Sequence, residues 1–153
     1  MIHLTSKLLE SLSGKTLATA ESCTGGMIGA YITAVPGSSA VYKGGIISYT
    51  NEIKQNLLGV DKTLLEKEGA VSAPVAKAMA EGARRALRAD IAVSVTGLAG
   101  PSGDEFGNPV GTVYIGYADE RQCVSRHFVF HGDRDSVREQ ATDAALAVIL
   151  EYV

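Results

Sequence analysis

Tryptophan is absent from this 153-residue sequence, and histidine and cysteine are scarce, with three and two residues. Cys23 and Cys123 have neither the density of a disulfide scaffold nor the clustering of a zinc site, so both read as reduced thiols. His3 lies near the terminus and His127 and His131 flank one strand end, which leaves no familiar Ser, His, Asp order. Neither the HExxH nor the EF-hand spacing is present, so no metal and no cofactor is expected. Fourteen Lys and Arg stand against seventeen Asp and Glu, a net charge of -3. Without a basic excess, nucleic acid is excluded as an expected partner. The longest uncharged stretch, Ser22 to Tyr42, is broken by Gly25, Gly26, Gly29, Pro36 and Gly37, too short a run of apolar residues for a membrane helix. No basic segment leads into an apolar signal core after Met1, so the expected location is the cytoplasm. No repeat, low-complexity tract or linker divides the chain, and residues 1–153 are expected to form one domain.

What is present is ordinary globular material: 46% hydrophobic and 20% charged residues, enough to bury a core. Leu4, Leu8, Leu9 and Leu12 recur at helical spacing before a stop at Gly14. A strand is expected over about Thr16 to Ala20, then the glycine turn ESCTGG at Glu21 to Gly26, then a helix from Met27 to Val35 ended by Pro36 and Gly37. Gly44 to Tyr49 reads as a strand, and Asn51 as the cap of a short helix closed by Gly59. Asp61 caps another short helix ending near Gly69. Ser72 precedes Pro74 and an amphipathic helix through Val75, Met79, Ala83 and Leu87. A buried strand, Ile91 to Val95, leads into a glycine- and proline-rich loop, Thr96 to Pro109, long enough to suggest binding or catalysis. Gly111 to Ala118 and Gln122 to Phe130 form an antiparallel hairpin about Asp119 to Arg121. Asp133 caps a last helix striped by Val137, Ala141, Ala145, Val148 and Ile149. The pattern predicts an α/β fold, a single three-layer α/β/α domain with a mixed, mostly parallel sheet.

In ESCTGG a hydroxyl and a thiol sit where a strand gives way to a helix start, a place where backbone amides favour anions. Ser22 is a candidate nucleophile with oxyanion donors nearby; the plainer alternative is a turn in which Ser22 or Thr24 merely caps the helix. Lacking a suitable histidine, a serine can be activated by a neutral lysine. Lys54 falls in the first turn of a helix, whose dipole opposes an ammonium by roughly 0.3–1 kcal/mol, less than about one pKa unit. Desolvation must supply the rest, and otherwise Lys54 is a solvated surface residue. Cys23 is a rival nucleophile or, more simply, a small buried hydrophobe. Arg134 opens the last helix, where a cation needs a carboxylate or a phosphate partner. A salt bridge to a neighbouring acid and a clamp on an anionic ligand both fit.

The ordered motifs ATAESCTGG at Ala18 to Gly26, PGSSAVYKGG at Pro36 to Gly45, YTNEIK at Tyr49 to Lys54, GAVS at Gly69 to Ser72, TGLAGPSG at Thr96 to Gly103, PVGTV at Pro109 to Val113 and GDRDSVREQA at Gly132 to Ala141 resemble the C-terminal domain of the CinA proteins. Stand-alone members of that family are nicotinamide mononucleotide amidases. The resemblance implies hydrolysis of the mononucleotide carboxamide to nicotinic acid mononucleotide and ammonia, in pyridine nucleotide recycling. It implies Ser22 as nucleophile and Lys54 as general base, with Tyr49 orienting Lys54 or lining the nicotinamide pocket. Amides of the turn through Gly25 and Gly26, with Thr24 or Ser39, are implied as oxyanion helpers. Thr96, Gly97, Ala99, Gly100 and Thr112 are implied to shape the nucleotide site, and Arg134 to meet the phosphate. A homo-oligomer, with a dimer favoured, is also implied. Many relatives carry a larger N-terminal domain associated with nucleotide pyrophosphate hydrolysis; with 153 residues this chain is expected to lack that activity. The segment SGDEFGN after Pro101 departs from the family's usual glycine-rich version. The alternative to an amidase is a catalytically idle member that binds a nucleotide or assembles with a partner.

Overall fold

The structure is a computed structural model that describes residues 2–12 and 14–153, without the side chains of residues 2–4; the expected apolar position at Leu4 and the histidine His3 therefore lie outside the described side chains. The element order is α1 (Ile2–Ser11), β1 (Leu17–Glu21), α2 (Met27–Thr33), β2 (Tyr42–Ile47), α3 (Asn51–Leu58), α4 (Lys62–Glu68), α5 (Ala73–Ala86), β3 (Ile91–Gly97), β4 (Thr112–Ala118), β5 (Cys123–Val129) and α6 (Arg134–Tyr152). The strands form one five-stranded sheet in the order β2-β1-β3-β4-β5. β1 pairs in parallel with β2 and β3, β4 pairs antiparallel with β3, and β5 pairs antiparallel with β4. Four of the five strands therefore point the same way, and β4 alone runs against them.

Local chemistry explains most element ends. Gly59 closes α3 with φ 70°, a left-handed conformation that glycine adopts without a Cβ penalty. Asp61 and Asp133 cap α4 and α6, their carboxylates accepting from Thr63 and Ser136 amides at 2.9 Å each. One expected cap changes. The hydroxyl of Thr50, one residue before Asn51, accepts from the Ile53 amide at 3.3 Å, and Asn51 is the first helical residue of α3. Ser72 begins α5 without capping it, because its hydroxyl donates to the Gly69 carbonyl at 2.8 Å. α2 ends at Thr33, short of Val35, and β2 starts two residues before Gly44.

Period-two alternation in the central strands divides the core into two layers. On one face Leu17, Val93, Val95, Val113 and Ile115 pack under α1, α2 and α6 through Leu8, Leu12, Ile28, Ile32, Leu146 and Ile149. On the other, Ala18, Ala20 and Ala92 meet Leu58 of α3, Leu65 of α4 and Val75, Met79 and Ala83 of α5. Small residues on this second face let α5 approach closely: a Cβ at Gly116 would lie 2.2 Å from the Ala76 carbonyl oxygen. α3 is held just as tightly against α5, since a Cβ at Gly82 would lie 2.0 Å from the Leu58 carbonyl oxygen. Burial of Leu58 contributes about 2 kcal/mol and docks the helix that carries Lys54. Among the described residues, no helix is long and apolar enough to cross a membrane.

Candidate active site at the carboxyl end of the sheet

β1 and β2 are neighbours in parallel, so the residues that follow them emerge at one sheet end. That juxtaposition brings Ser22, directly after β1, to Lys54 at the start of α3. Lys54 Nζ lies 3.2 Å from Ser22 Oγ, and donates to the carbonyl oxygens of Ser48 at 2.8 Å and Tyr49 at 3.3 Å. These three partners match the three donors of an ammonium. Lys54 is 1% exposed and Ser22 is 6% exposed. Among the described residues no carboxylate pairs with Lys54. Burial lowers its pKa from 10.5 to about 8, opposed by the proximity of Cys23. Desolvation outweighs what the helix dipole could do, and the reading of Lys54 as a solvated surface residue is overturned.

Cys23 is buried in the core beneath α6, and burial pushes its thiol up to about 11. It is a protonated small hydrophobe, the simpler of its two readings.

The helix start after ESCTGG is not available to an anion in the expected way. The carboxylate of Glu21, itself 2% exposed, accepts from the amides of Gly26, Ile28 and Gly29 at 3.2, 2.9 and 3.0 Å. It also accepts from the Thr24 hydroxyl at 2.6 Å. Glu21 thus occupies the positive end of α2 that the sequence pattern assigned to a substrate oxyanion. Neither Ser22 nor Thr24 caps α2, and the Thr24 side chain is committed inward. Of the turn's amides, Ser22 donates to Val95, Gly25 to Ser22 and Gly26 to Glu21. The amides of Cys23 and Thr24 donate to no carbonyl or carboxylate among the described residues, the Cys23 amide facing its own sulfur, and these two are the donors left for an oxyanion.

Beside the turn is a cavity of about 230 Å³ whose walls include Cys23, Tyr49, Gly97, Ala99, Gly100 and Arg134. Tyr49 is 59% exposed and lines this cavity, and its carbonyl holds Lys54. Arg134 donates to the Gly100 carbonyl at 2.6 Å and to the Tyr49 hydroxyl at 3.3 Å, and among the described residues it has no acidic partner. The neighbouring-acid reading of Arg134 is thereby removed. Gly100 has φ 96°, and a Cβ there would lie 2.8 Å from Val110.

Of the other expected site residues, two have hydroxyls committed within the fold and one lies at the other sheet end. Thr96 is buried and donates to the Ala70 carbonyl at 2.8 Å, tying β3 to the approach to α5. Thr112 is also buried and donates to the Pro109 carbonyl at 2.7 Å, bracing the end of the long loop. Ser39 precedes β2 and is exposed at the opposite sheet end, separated from Ser22 by roughly 16 Å of strand at about 3.3 Å per residue. Within one chain Ser39 cannot assist Ser22. Among the described residues, no group of three His, Cys, Asp or Glu side chains converges as a metal site would require.

Two residues that shape this turn escaped sequence reasoning. Glu21 ends a buried strand directly before Ser22, and its acidity at that position was the available signal. Arg138 lies one helical turn after Arg134 and donates to the carbonyls of Cys23 at 2.9 Å and Thr24 at 3.4 Å; nothing local in the sequence links it to residues more than a hundred positions away.

An α/β/α domain with a buried serine and lysine in contact at the carboxyl end of its parallel strands is the class defined so far. Residues 2–153 match the CinA C-terminal domain, and the chain belongs to that family. A CinA-like protein of Geobacter sp. strain M21 is 56% identical over 146 residues, 95% of this chain and 35% of that protein. A putative competence-damage inducible protein of Halothermothrix orenii is 51% identical over 148 residues, 96% of this chain and 36% of that protein. This chain spans about a third of the length of these curated relatives. Among solved structures, a CinA superfamily protein from Escherichia coli superposes with a TM-score of 0.97 at 36% identity, covering 100% of this chain and 91% of that one. The competence/damage inducible protein from Agrobacterium tumefaciens gives 0.94 at 35% identity, covering 98% and 93%.

Proposed function

We propose that this chain hydrolyses the carboxamide of nicotinamide mononucleotide, with Ser22 as nucleophile and Lys54 as general base. The observation that carries this reading is the buried Lys54, 3.2 Å from Ser22 and without an acidic partner among the described residues. Once Lys54 loses a proton, its two remaining N–H groups stay on the Ser48 and Tyr49 carbonyls and its lone pair is left for Ser22. The Ser22 hydroxyl then donates its proton to Lys54 as its oxygen bonds to the carboxamide carbon. The amides of Cys23 and Thr24 receive the oxyanion, a type of stabilisation worth about 3–4 kcal/mol per donor. Lys54 returns the proton to the amide nitrogen, the C–N bond breaks and ammonia leaves. Water next gives a proton to Lys54 and attacks the acyl-enzyme; the Ser22 ester bond breaks, Lys54 returns that proton to Ser22, and nicotinic acid mononucleotide is released. The ring enters the cavity past Tyr49, with the phosphate toward Arg134.

The test is ammonia release from nicotinamide mononucleotide by the wild-type protein beside Ser22→Ala and Lys54→Ala, all shown to be folded. Turnover lost in both variants supports the dyad. Retained turnover in either removes that residue from its role, and a folded but inactive wild-type protein moves the reading to the idle binding module. The same reading carries a cytoplasmic location and a homodimer. Light scattering at assay concentration checks the assembly, since an active monomer would need no second subunit.

A further inference from the structure

We infer that Arg138 is a positioning residue for the oxyanion site: its guanidinium fixes and polarises the Cys23–Thr24 peptide so that the Thr24 amide becomes a strong donor. The inference rests on the Ser22 and Lys54 chemistry proposed above. Its geometry begins with Arg138 Nε, 2.9 Å from the Cys23 carbonyl oxygen, and Nη2, 3.4 Å from the Thr24 carbonyl oxygen. The carbonyl of Cys23 and the N–H of Thr24 belong to one peptide unit. That unit is trans, so its N–H points the opposite way from its carbonyl. Arg138 approaches the carbonyl from α6, which packs on one face of the sheet. The Thr24 N–H is thus directed away from α6, toward the side whose helical layer contains α3 and Lys54.

This N–H is one of the two in the turn that donate to no carbonyl or carboxylate among the described residues. A cation on the carbonyl oxygen withdraws electron density through the peptide resonance and sharpens the partial positive charge on the N–H. The second contact, to the Thr24 carbonyl, holds the next peptide, whose Gly25 N–H closes the turn onto the Ser22 carbonyl at 3.1 Å. Arg138 therefore locks both peptides that follow the nucleophile.

The fold creates the need for such a residue. Glu21 places a buried carboxylate against the N-terminus of α2 and next to Ser22, where a negative charge opposes a developing oxyanion. Arg138 supplies the opposite sign on the other side of the same turn. Both fields reach Cys23, whose ionisation Arg138 favours and Glu21 opposes. Lysine could supply the charge, but only the planar fork reaches two successive carbonyls.

The experiment measures phosphonylation of Ser22 by a fluorophosphonate together with amide turnover in wild type, Arg138→Gln and Arg138→Lys. In the labelling step the Ser22 proton passes to Lys54, the O–P bond forms and fluoride leaves. Arg138→Gln is expected to slow both labelling and kcat by roughly tenfold to a hundredfold, with KM for the mononucleotide little changed and the pH midpoint of labelling unmoved. Arg138→Lys recovers part of the loss. Rates are expressed per labelled Ser22 at completion, so a misfolded fraction does not count as a slower site. Unchanged labelling in Arg138→Gln, or a loss of kcat that vanishes after this correction, overturns the inference. If wild type labels but does not release ammonia, the amidase reading fails while the Arg138 effect on labelling still decides the inference. If wild type does not label, the inference falls with the nucleophile.

Discussion

The pH dependence of Lys54 links catalysis to stability through one number. Burial holds its pKa at about 8 in the folded protein against 10.5 for an ordinary lysine. At pH 7 only about one molecule in ten then carries the neutral amine, so kcat/KM for ammonia release should rise nearly tenfold per pH unit between 6 and 7.5 and level off above about 8.5. The same shift acts on folding with a definite sign. Between pH 8 and 10.5 the unfolded chain binds a proton at this residue that the folded protein has lost, so stability contributed by this site rises with pH across that window. The full difference is about 3 kcal/mol, and below pH 8 it is present as a constant penalty on the folded state. Urea unfolding of wild type beside Lys54→Met isolates it from every other titrating group. The difference in unfolding free energy between the two proteins should change by about 3 kcal/mol over that range, in favour of wild type as pH rises. A flat kcat/KM profile from pH 6 to 8, a midpoint near 10.5, or a pH-independent difference between the two proteins would refute a desolvated Lys54.

Gly82→Ala probes how α5 positions Lys54 from outside the site: its Cβ meets the Leu58 backbone, so α3 must move, costing about 1–3 kcal/mol. Leu58 is one turn beyond Lys54, so turnover should fall more steeply than the folded fraction, by roughly tenfold to a hundredfold; a thermal melt and an ammonia assay on one preparation separate the two. Cys23→Ala should keep turnover within about threefold and lose about 1 kcal/mol of stability. Wild-type Cys23 at pH 8, about one thousandth thiolate, should resist iodoacetamide by peptide mass spectrometry; rapid alkylation with loss of activity would restore the thiol as a nucleophile. Arg134→Ala should weaken binding of the mononucleotide by roughly tenfold and of the unphosphorylated riboside much less, measured by calorimetry, and equal losses would remove the phosphate role.

The electrostatics of the Ser22 turn differ from those of a simple strand-to-helix anion site. The first amides of α2 are consumed by Glu21, a residue of the same chain, at about 3 Å. A buried carboxylate with four donors is well satisfied and rigid, which holds the backbone around Ser22. It also removes the α2 helix start from substrate binding, leaving two turn amides and the cation behind them as the nearest compensation.

By itself the sequence determined the order of the elements and the character of each layer. Period-two and 3.6-residue patterns report which face of a segment is apolar. Gly59, Asp61 and Asp133 mark helix ends because their effects are confined to one turn of backbone. The motif series also carried the family and the pairing of Ser22 with Lys54. Only the tertiary structure decided what those residues experience. Whether Lys54 is a solvated cation or a desolvated base depends on how α3 packs against α5 and on carbonyls from Ser48 and Tyr49 in the preceding connection. Where Ser39 lies was decided by where β2 begins, and the partners of Thr24, Glu21 and Arg138 by contacts across helix and sheet. Burial and charge coupling depend on distance in space, and a local reading along the chain carries distance only within a few residues.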